Sequence, residues 1–353
     1  AGMNLILVNA DRGSSWRNIG GGRTAFSLPE LAEIAAQNHH IFKELQYLSN
    51  IDYKPIRYIS FAHDEETYKT LEASKAWSKA EMIAPKQFRE EISPYFNANP
   101  KKYISALVSE DCWQATPGKV VDLVRNLGIA AGGTVMEDCR VLEACREGKY
   151  TSVLVQTHDK KYVEYRTEHF VNALGSGAGK LCDSMGIDAG LYPVRHQAFI
   201  TRRLPMLGKH GTNLDMLIDR QDYKGFSAVY GQQIAYTGQI IGCASPKLDA
   251  MRIDKNLKVN TKAFLEIVSE MFSEWIPDLA GVGIQAVWAG YYTEPRYIVD
   301  PELGLFVGMR GHGFMLSQYI ARMYVDKLLG RPVPEYFEKL KLNGPGLSEK
   351  AFK

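Results

Sequence analysis

The 353-residue sequence has no apolar run near the roughly 18 residues that a membrane-spanning helix needs. Its first apolar run, Leu5-Ile6-Leu7-Val8, is too short for a signal peptide and lacks a basic start. Cysteine is scarce and odd in number: Cys112, Cys139, Cys145, Cys182 and Cys243 contain no C-x-x-C pair. That argues against a disulfide framework or a zinc site and points to a reducing, cytoplasmic setting. An excess of one charge is missing too. The formal net charge is +2, which gives no case for nucleic acid or a membrane surface. The eight histidines form no H-x-x-x-H or H-E-x-x-H pair, and there is no G-x-S-x-G elbow. Neither a helical metal site nor that nucleophile is expected. Glycine has no three-residue period, and no internal repeat or low-complexity tract occurs. With 45% hydrophobic and 23% charged residues, disorder and coiled coil are excluded. A soluble globular chain of about two domains is expected.

Leu5 to Val8 reads as a short strand buried on both faces, as in a parallel sheet. A polar, glycine-rich stretch follows from Asn9 to Arg23, with Gly20-Gly21-Gly22 leaving the backbone bare for a ligand or a tight turn. Ser27 and Glu30 suggest a capping box at the start of a helix carrying Leu28, Leu31, Ile34, Ile41, Leu45 and Leu48. His39 and His40 on that helix diverge by about 100° and read as surface residues. Strand is expected at Ile56 to Ala62, a charged helix at Asp64 to Ser78, and a helix from Thr116-Pro117 to Gly128. A β-meander is expected through Val135, Val141, Val153 to Val155 and Tyr162 to Tyr165, with turns at Glu147-Gly148 and Asp159-Lys160. Phe170 to Leu174 reads as a further buried strand. In the mixed region 195–285, Thr261 to Trp275 reads as a helix whose apolar face is core, stopped by Pro277. Leu305 to Val307 is a strand, Gly308 to Gly313 a glycine-rich turn, and Phe314 to Leu329 a helix.

Gly175-Ser176-Gly177-Ala178-Gly179-Lys180 fails the P-loop pattern, because Leu174 and Leu181 stand where Gly and Ser or Thr are required. What survives is a strand running into glycines, a shape suited to a dinucleotide backbone. Three such turns, 9–23, 172–179 and 308–313, together with Arg23 and His312, suggest a large cofactor lying across several strand ends.

"GSSWRNIGGGR" (Gly13 to Arg23), "VNALGSGAG" (Val171 to Gly179) and "GYYTEPRYIVD" with "GLFVGMRGHGFM" (Gly290 to Asp300, Gly304 to Met315) carry a resemblance over nearly the whole chain. The chain resembles the D-amino-acid-oxidase-like flavoproteins, within them the branch of sarcosine oxidase and dye-linked proline dehydrogenase. The resemblance implies an α/β (α+β) fold: a Rossmann-like FAD-binding domain (GR2-type) and a second, antiparallel-sheet substrate domain. It implies FAD binding by 1–50, 116–195 and 286–330, a substrate domain of 51–115 and 196–285, and a C-terminal tail of 331–353. By the same resemblance Arg23 holds the substrate carboxylate, a role suited to a bidentate guanidinium. Ser14, Ser15, Trp16, Arg17, Asn18, Gly21 and Gly22 belong to the loop around the flavin ring. His312 lies beside the isoalloxazine, and Tyr291, Tyr292 and His312 wall the pocket. Gly311, Gly313 and Phe314 put helix amides near the flavin N1–C2=O edge, where charge develops on reduction. Asn172, Ala173 and Gly175 flank the phosphates, and Val141 meets the adenine.

Departures from that family's pattern carry their own expectations. Its members open with a strand, a G-x-G-x-x-G turn and a helix, and this chain starts at what resembles the end of that helix. A second polypeptide supplying that element, or electron-transfer subunits, is therefore expected, with FAD held poorly by this chain alone. Asn9 replaces the acid that binds the adenine ribose. Gly290 replaces a flavin-linking cysteine, so the FAD is expected to be non-covalent. Met315 replaces a carboxylate-holding lysine. No clear oxygen-activating lysine is found; Lys224 and Lys247 are nearest in sequence. The expected activity is that of an FAD-dependent dehydrogenase of a proline- or sarcosine-like amino acid or amine, by hydride transfer to flavin N5. The alternatives are a flavin-free, non-catalytic subunit of a heteromeric complex and a peroxide-forming sarcosine or glycine oxidase.

Overall fold

The computed structural model describes residues 5–9, 13–97, 99, 101–205, 207, 214–221, 225–234, 237–246, 257 and 261–349. Ala1-Gly2-Met3, Lys224 and Lys247 lie outside them. In chain order the first half runs β1 (Ile6–Asn9), α1 (Gly13–Arg17), β2 (Gly21–Gly22), α2 (Pro29–Leu48), β3 (Lys54–Ala62), α3 (Glu65–Ala73), β4 (Ala80–Ile83), α4 (Phe88–Glu91), β5 (Ser105–Gln114) and α5 (Pro117–Ala130). Next come β6 (Thr134–Glu137), β7 (Arg140–Glu147), β8 (Tyr150–Gln156), β9 (Tyr162–Thr167), α6 (Ala178–Ser184) and β10 (Tyr192–Thr201). The rest is β11 (Met216–Asp219), β12 (Phe226–Gln233), β13 (Ile240–Pro246), α7 (Thr261–Trp275), β14 (Ile284–Glu294), β15 (Ile298–Asp300), β16 (Leu305–Val307) and α8 (Gly313–Leu328).

A nine-stranded sheet runs in the order β14-β10-β13-β12-β11-β3-β5-β2, with β4 also on β5. Every pairing in it is antiparallel except β11 with β3. Strand alternation gives this sheet two faces. One face is apolar: Ile59, Phe61, Val108, Phe199, Leu217 and Val229 pack on Phe264, Ile267, Val268, Met271, Phe272 and Trp275 of α7. Burial of each such side chain is worth about 1.5–3 kcal/mol, which is why the apolar stripe of α7 docks there. The opposite face carries Ile56, Tyr58, Cys112, Met216, Ile218 and Tyr230 and looks toward the second layer.

That second layer holds the parallel pair β1–β6, the antiparallel meander β7-β8-β9 and the β15–β16 pair. Helices α2 and α8 pack together through Leu31, Ile34 and Ala35 against Leu316, Ile320 and Met323, with Phe337, Leu340 and Leu347 from beyond α8 completing the cluster. The glycine turn before α8 and its helix stand as the sequence predicts.

Five sequence expectations need correction. Strand β1 is not buried on both faces: Leu5 is 59% and Leu7 48% exposed, and among the described residues β1 pairs only with β6. Consequently β6 belongs with β1 and not to the meander. Residues 170–174 form no strand, only a bridge of Asn172 to Leu305, with Val171 and Leu174 exposed. Ser27 does not cap α2; Leu28 is the N-cap, and the Ser27 N–H donates to the carboxylate of Glu349. His39 is buried, not superficial, with Nε2 2.6 Å from the Tyr53 hydroxyl and its ring stacked toward Trp113. His40 beside it is exposed, its ring 6.5 Å from that of His39 and nearly parallel to it.

Candidate active site

Arg23 directly follows β2, the short strand that hydrogen-bonds β5. The sequence there must be glycine. A Cβ on Gly21 would lie 2.1 Å from the Tyr58 hydroxyl, and one on Gly22 2.1 Å from the Trp113 ring. Both glycines are buried, and Arg23 follows them directly.

The Arg23 guanidinium is only 4% exposed. Nη1 donates to the Ala25 carbonyl, Nη2 lies 3.3 Å from His312 Nε2, and the group sits 3.8 Å above the Phe26 ring. A guanidinium only donates, so Nε2 is the acceptor and the neutral imidazole carries its proton on Nδ1. Nδ1 faces the hydroxyl of buried Tyr297, which therefore accepts. Burial holds His312 well below its ordinary pKa, and the charges of Arg23, Arg310 and Arg220 press it further the same way. Burial also lowers Arg23, against the attraction of Glu349.

Tyr292 closes one side. Its hydroxyl is 2.9 Å from that of Tyr230 on β12, and its ring stacks on His196 at 3.7 Å. Burial raises both tyrosines and pushes His196 down to about 3. Gly311 is required here: its φ is +116°, and a Cβ would come within 2.3 Å of the Tyr292 ring. Arg310, beside it, forms a buried 2.8 Å ion pair with Glu294, whose carboxyl burial nonetheless holds above its usual range.

The loop 13–18 is tied to β14. Ser14 Oγ donates to the Tyr291 carbonyl at 2.5 Å, and Trp288 Nε1 donates to the Arg17 carbonyl at 2.7 Å. Asn18 braces the loop internally, donating to the Ser15 carbonyl and accepting from the Gly20 N–H. Ser15 and Trp16 are exposed, and the Trp16 ring covers Gly118. On the opposite strand Gly290 is open: a Cβ would meet only Arg17, at 3.5 Å.

Asn172 is buried. Its amide donates to the Ala178 carbonyl at 3.1 Å, and its oxygen accepts from the Leu174 N–H. It shapes the turn and presents exposed Ala173 and Gly175, the latter at φ +56° with open space above it. Helix α8 begins at Gly313 with no side-chain cap on its first turn. Phe314 packs its ring on Phe42 and Trp113, and Met315 lies against the same cores, so the amides of these residues and not their side chains are at issue. Asn9 and Val141 stand elsewhere. Asn9 ends β1, and Val141 packs with Val8 and Val155, so neither joins the Arg23–His312 cluster.

Sequence reading misses four participants: Arg220, Glu349, Tyr230 and Tyr297. The C-terminal segment folds back so that Glu349, 1% exposed, accepts from the Ser27 N–H through both carboxylate oxygens (3.2 and 3.0 Å). Arg220, just beyond β11, is pushed down to about 9, by burial first and by Arg23 next. No motif marks either residue.

The family model "DAO: FAD dependent oxidoreductase" matches residues 1–327. No match among curated proteins is found. The fold is similar to that of L-proline dehydrogenase from P. horikoshii, at 21% identity over 96% of both chains with a TM-score of 0.78. Glycine oxidase from Geobacillus kaustophilus is similar at 17% identity over 96% of this chain and 92% of that one, TM-score 0.78. Iminodiacetate oxidase from Chelativorans sp. BNC1 follows at 12% identity over 98% and 94%, TM-score 0.75. No helix among the described residues is long and apolar enough to cross a membrane.

Proposed function

This chain belongs to the DAO family of FAD-dependent oxidoreductases, and from that premise we propose that it oxidises the C–N bond of a proline- or sarcosine-like amino acid or amine. One observation carries the reading: Arg23 lies 3.3 Å from a neutral His312 at the start of an uncapped helix, beside a wall of tyrosines, and the charges of Arg310 and Arg220 act on the same imidazole. Such a place attracts a carboxylate and penalises an ammonium.

The residues fit FAD. The first amides of α8 are uncapped, and Gly13, Gly175 and Gly290 leave their surroundings open where a Cβ would otherwise intrude. Loop 13–18, the turn 172–175 and the amides of Gly313 and Phe314 would hold the cofactor without a covalent link. Asn9 and Val141, at the carboxyl end of β1 and near it, suit its adenosine end. Bound FAD supplies the two-electron acceptor.

The protein's own part is placement. The arginines orient the carboxylate, and their positive field lowers the pKa of the substrate amine, favouring the neutral form with a lone pair. Tyr291, Tyr292 and His312 exclude water from one side. His312 stays neutral and holds the Arg23 guanidinium still. Dehydrogenase activity is proposed over oxidase activity, because in the sequence neither Lys224 nor Lys247 aligns with the family's oxygen-activating lysine.

Among the described residues Leu5, Ile6 and Leu7 are exposed on a strand paired along one edge only, which supports a further strand docking there, from a partner polypeptide or from the same one. A heteromer in the native mass supports this partner; a lone chain holding stoichiometric FAD overturns it. For the activity, the FAD-loaded protein is mixed anaerobically with L-proline, sarcosine or glycine. Bleaching of the flavin's visible absorbance, restored by a dye better than by oxygen, is expected. A flavin that no amine or amino acid reduces would sink the proposal.

A further inference from the structure

The turn between β16 and α8 holds an arginine where a glycine would cost less. Arg310 has φ +52°, in the left-handed region, and of the five described residues other than glycine with such a backbone it alone is buried. Backbone of this kind persists only where its surroundings hold it, and it gathers at functional sites. Here the holding groups are visible. The Arg310 N–H donates to the Thr293 carbonyl at 3.1 Å, and Nε donates to Glu294 Oε2 at 2.8 Å. The guanidinium carbon lies 5.9 Å from the centre of the Tyr297 ring, whose hydroxyl meets His312. A guanidinium is planar, so fixing Nε on Glu294 narrows the directions open to its other two nitrogens.

Nη1 is left over. The Arg310 side chain is 3% exposed, and among the described residues its buried Nη1 has no hydrogen-bond partner. A stranded buried donor is costly, and folded proteins keep few of them. Three residues further on, the 16-residue helix α8 starts at Gly313 with no side chain capping its first turn. Its orphan amides and positive end face the same need. A stranded guanidinium N–H and an uncapped helix on one turn both call for an acceptor that carries negative charge. Two parts of FAD have that character: the pyrophosphate, and the N1–C2=O edge of the ring once it is reduced. The neighbours of Arg310 decide between them. Gly311 lies under the Tyr292 ring and His312 meets Arg23, so this turn borders the pocket where the ring reacts. The Arg310–Glu294 pair is also balanced in charge, which suits a group that is neutral until reduction better than a permanent dianion.

We propose that Arg310 binds the N1–C2=O edge of the flavin through Nη1 and holds the negative charge that settles there on reduction. The inference rests on the FAD reading above and adds the residue that sets how readily the flavin is reduced. The substrate's hydride forms the N5–H bond, and the ring electron pair that it displaces becomes the charge on N1 and the C2 oxygen. Arg310 gives up no proton in this step. It supplies a donor and a fixed positive charge, placed before the charge develops.

The test uses sulfite, which reports on that edge without turnover. Its sulfur lone pair bonds to flavin N5, nothing leaves, and the displaced ring pair again rests on N1–C2=O. The FAD-loaded protein, with any polypeptide that co-purifies, is compared with Arg310→Gln, Arg310→Lys and Glu294→Gln. Arg310→Gln should weaken sulfite binding about 10- to 100-fold, the span of a hydrogen bond to a charged group. The two-electron midpoint potential should fall by about 30–60 mV, the same factors at about 30 mV per tenfold. Affinity for oxidised FAD should change far less, and Arg310→Lys should fall between. Glu294→Gln leaves the positive charge in place and should hold or tighten sulfite binding, whereas a merely structural ion pair would lose equally from either side. Should Arg310→Gln fail to fold, its combination with Glu294→Gln, which strands no buried charge, decides by the same measurements. Unchanged sulfite affinity and potential, or equal losses in Arg310→Gln and Glu294→Gln, overturn the proposal. So does a loss of oxidised-FAD affinity as large as the loss of sulfite affinity, which would put Arg310 on the pyrophosphate. A parent that oxidises no amine yet shows the expected shifts would uphold Arg310 while the substrate reading fell.

Discussion

The Tyr297 hydroxyl accepts from Nδ1 of His312, and that bond, with Arg23 at Nε2, leaves the imidazole a single tautomer. Tyr297→Phe removes the acceptor and strands a buried N–H. Stability should fall by about 1–3 kcal/mol, read as a lower denaturant midpoint at unchanged slope. A variant as stable as the parent would show that the imidazole finds another acceptor.

Acid should weaken the fold through its buried histidines. His196 is pushed down to about 3 and His39 to about 4, both chiefly by burial, and His312 is lowered in the same direction. Each titrates lower folded than unfolded, so the unfolded chain binds more protons below about pH 6.5. Their contribution is complete above that pH and is lost as pH falls toward the folded values. Each excluded proton costs about 1.4 kcal/mol per pH unit in that window. Melting temperature measured from pH 7 to pH 4 should therefore decline, and His196→Phe should flatten the slope. An unchanged slope in that variant would remove His196 from the account.

Two glycines on facing segments should respond oppositely. Gly311→Ala places a Cβ into the Tyr292 ring at a φ that other residues avoid, and should cost more than about 2 kcal/mol. Gly290→Ala meets only the Arg17 side chain at ordinary distance, so its fold should stay within about 0.5–1 kcal/mol of the parent. If Gly290 faces the flavin, the same variant should bind FAD more weakly, as fluorescence titration would reveal. Undiminished FAD affinity would take Gly290 out of the cofactor site.

Asp219 is fully buried and serves His63, Tyr103 and Gln221 at once. Asp219→Ala leaves those polar groups stranded and should cost about 3–5 kcal/mol. Asp219→Asn keeps two of the acceptor geometries and should cost less. Denaturant titration of both variants checks that order.

The legible parts of this molecule are those whose pattern is local. Leu305 to Leu328 could be read because strand, glycine turn and helix follow one another, and each signal is complete within a few residues. The stripe of α7 was legible for the same reason. Arg220 was not, since β11 has only four residues and what its parity faces depends on Gly21, two hundred positions away in sequence. Glu349 was equally silent, a lone acid in a polar tail whose meaning lies in the Ser27 amide. The fate of His39 turned on Tyr53 and Trp113, which helical periodicity does not see. Strand β1 looked buried because its composition is apolar, and composition is silent about neighbours.

The contact between Ser27 and Glu349 spans 322 positions. During synthesis, at about 5–20 residues per second, the segment carrying Arg23 emerges long before its counter-charge exists. Over that interval the arginine is expected to stay solvated, since drawing it onto the Phe26 ring with no anion nearby would bury an unbalanced charge. The segment around Glu349 thus acts as a clasp: its carboxylate can reach the Ser27 amide only after residue 349 has been made, so closure beside Arg23 is expected late in synthesis.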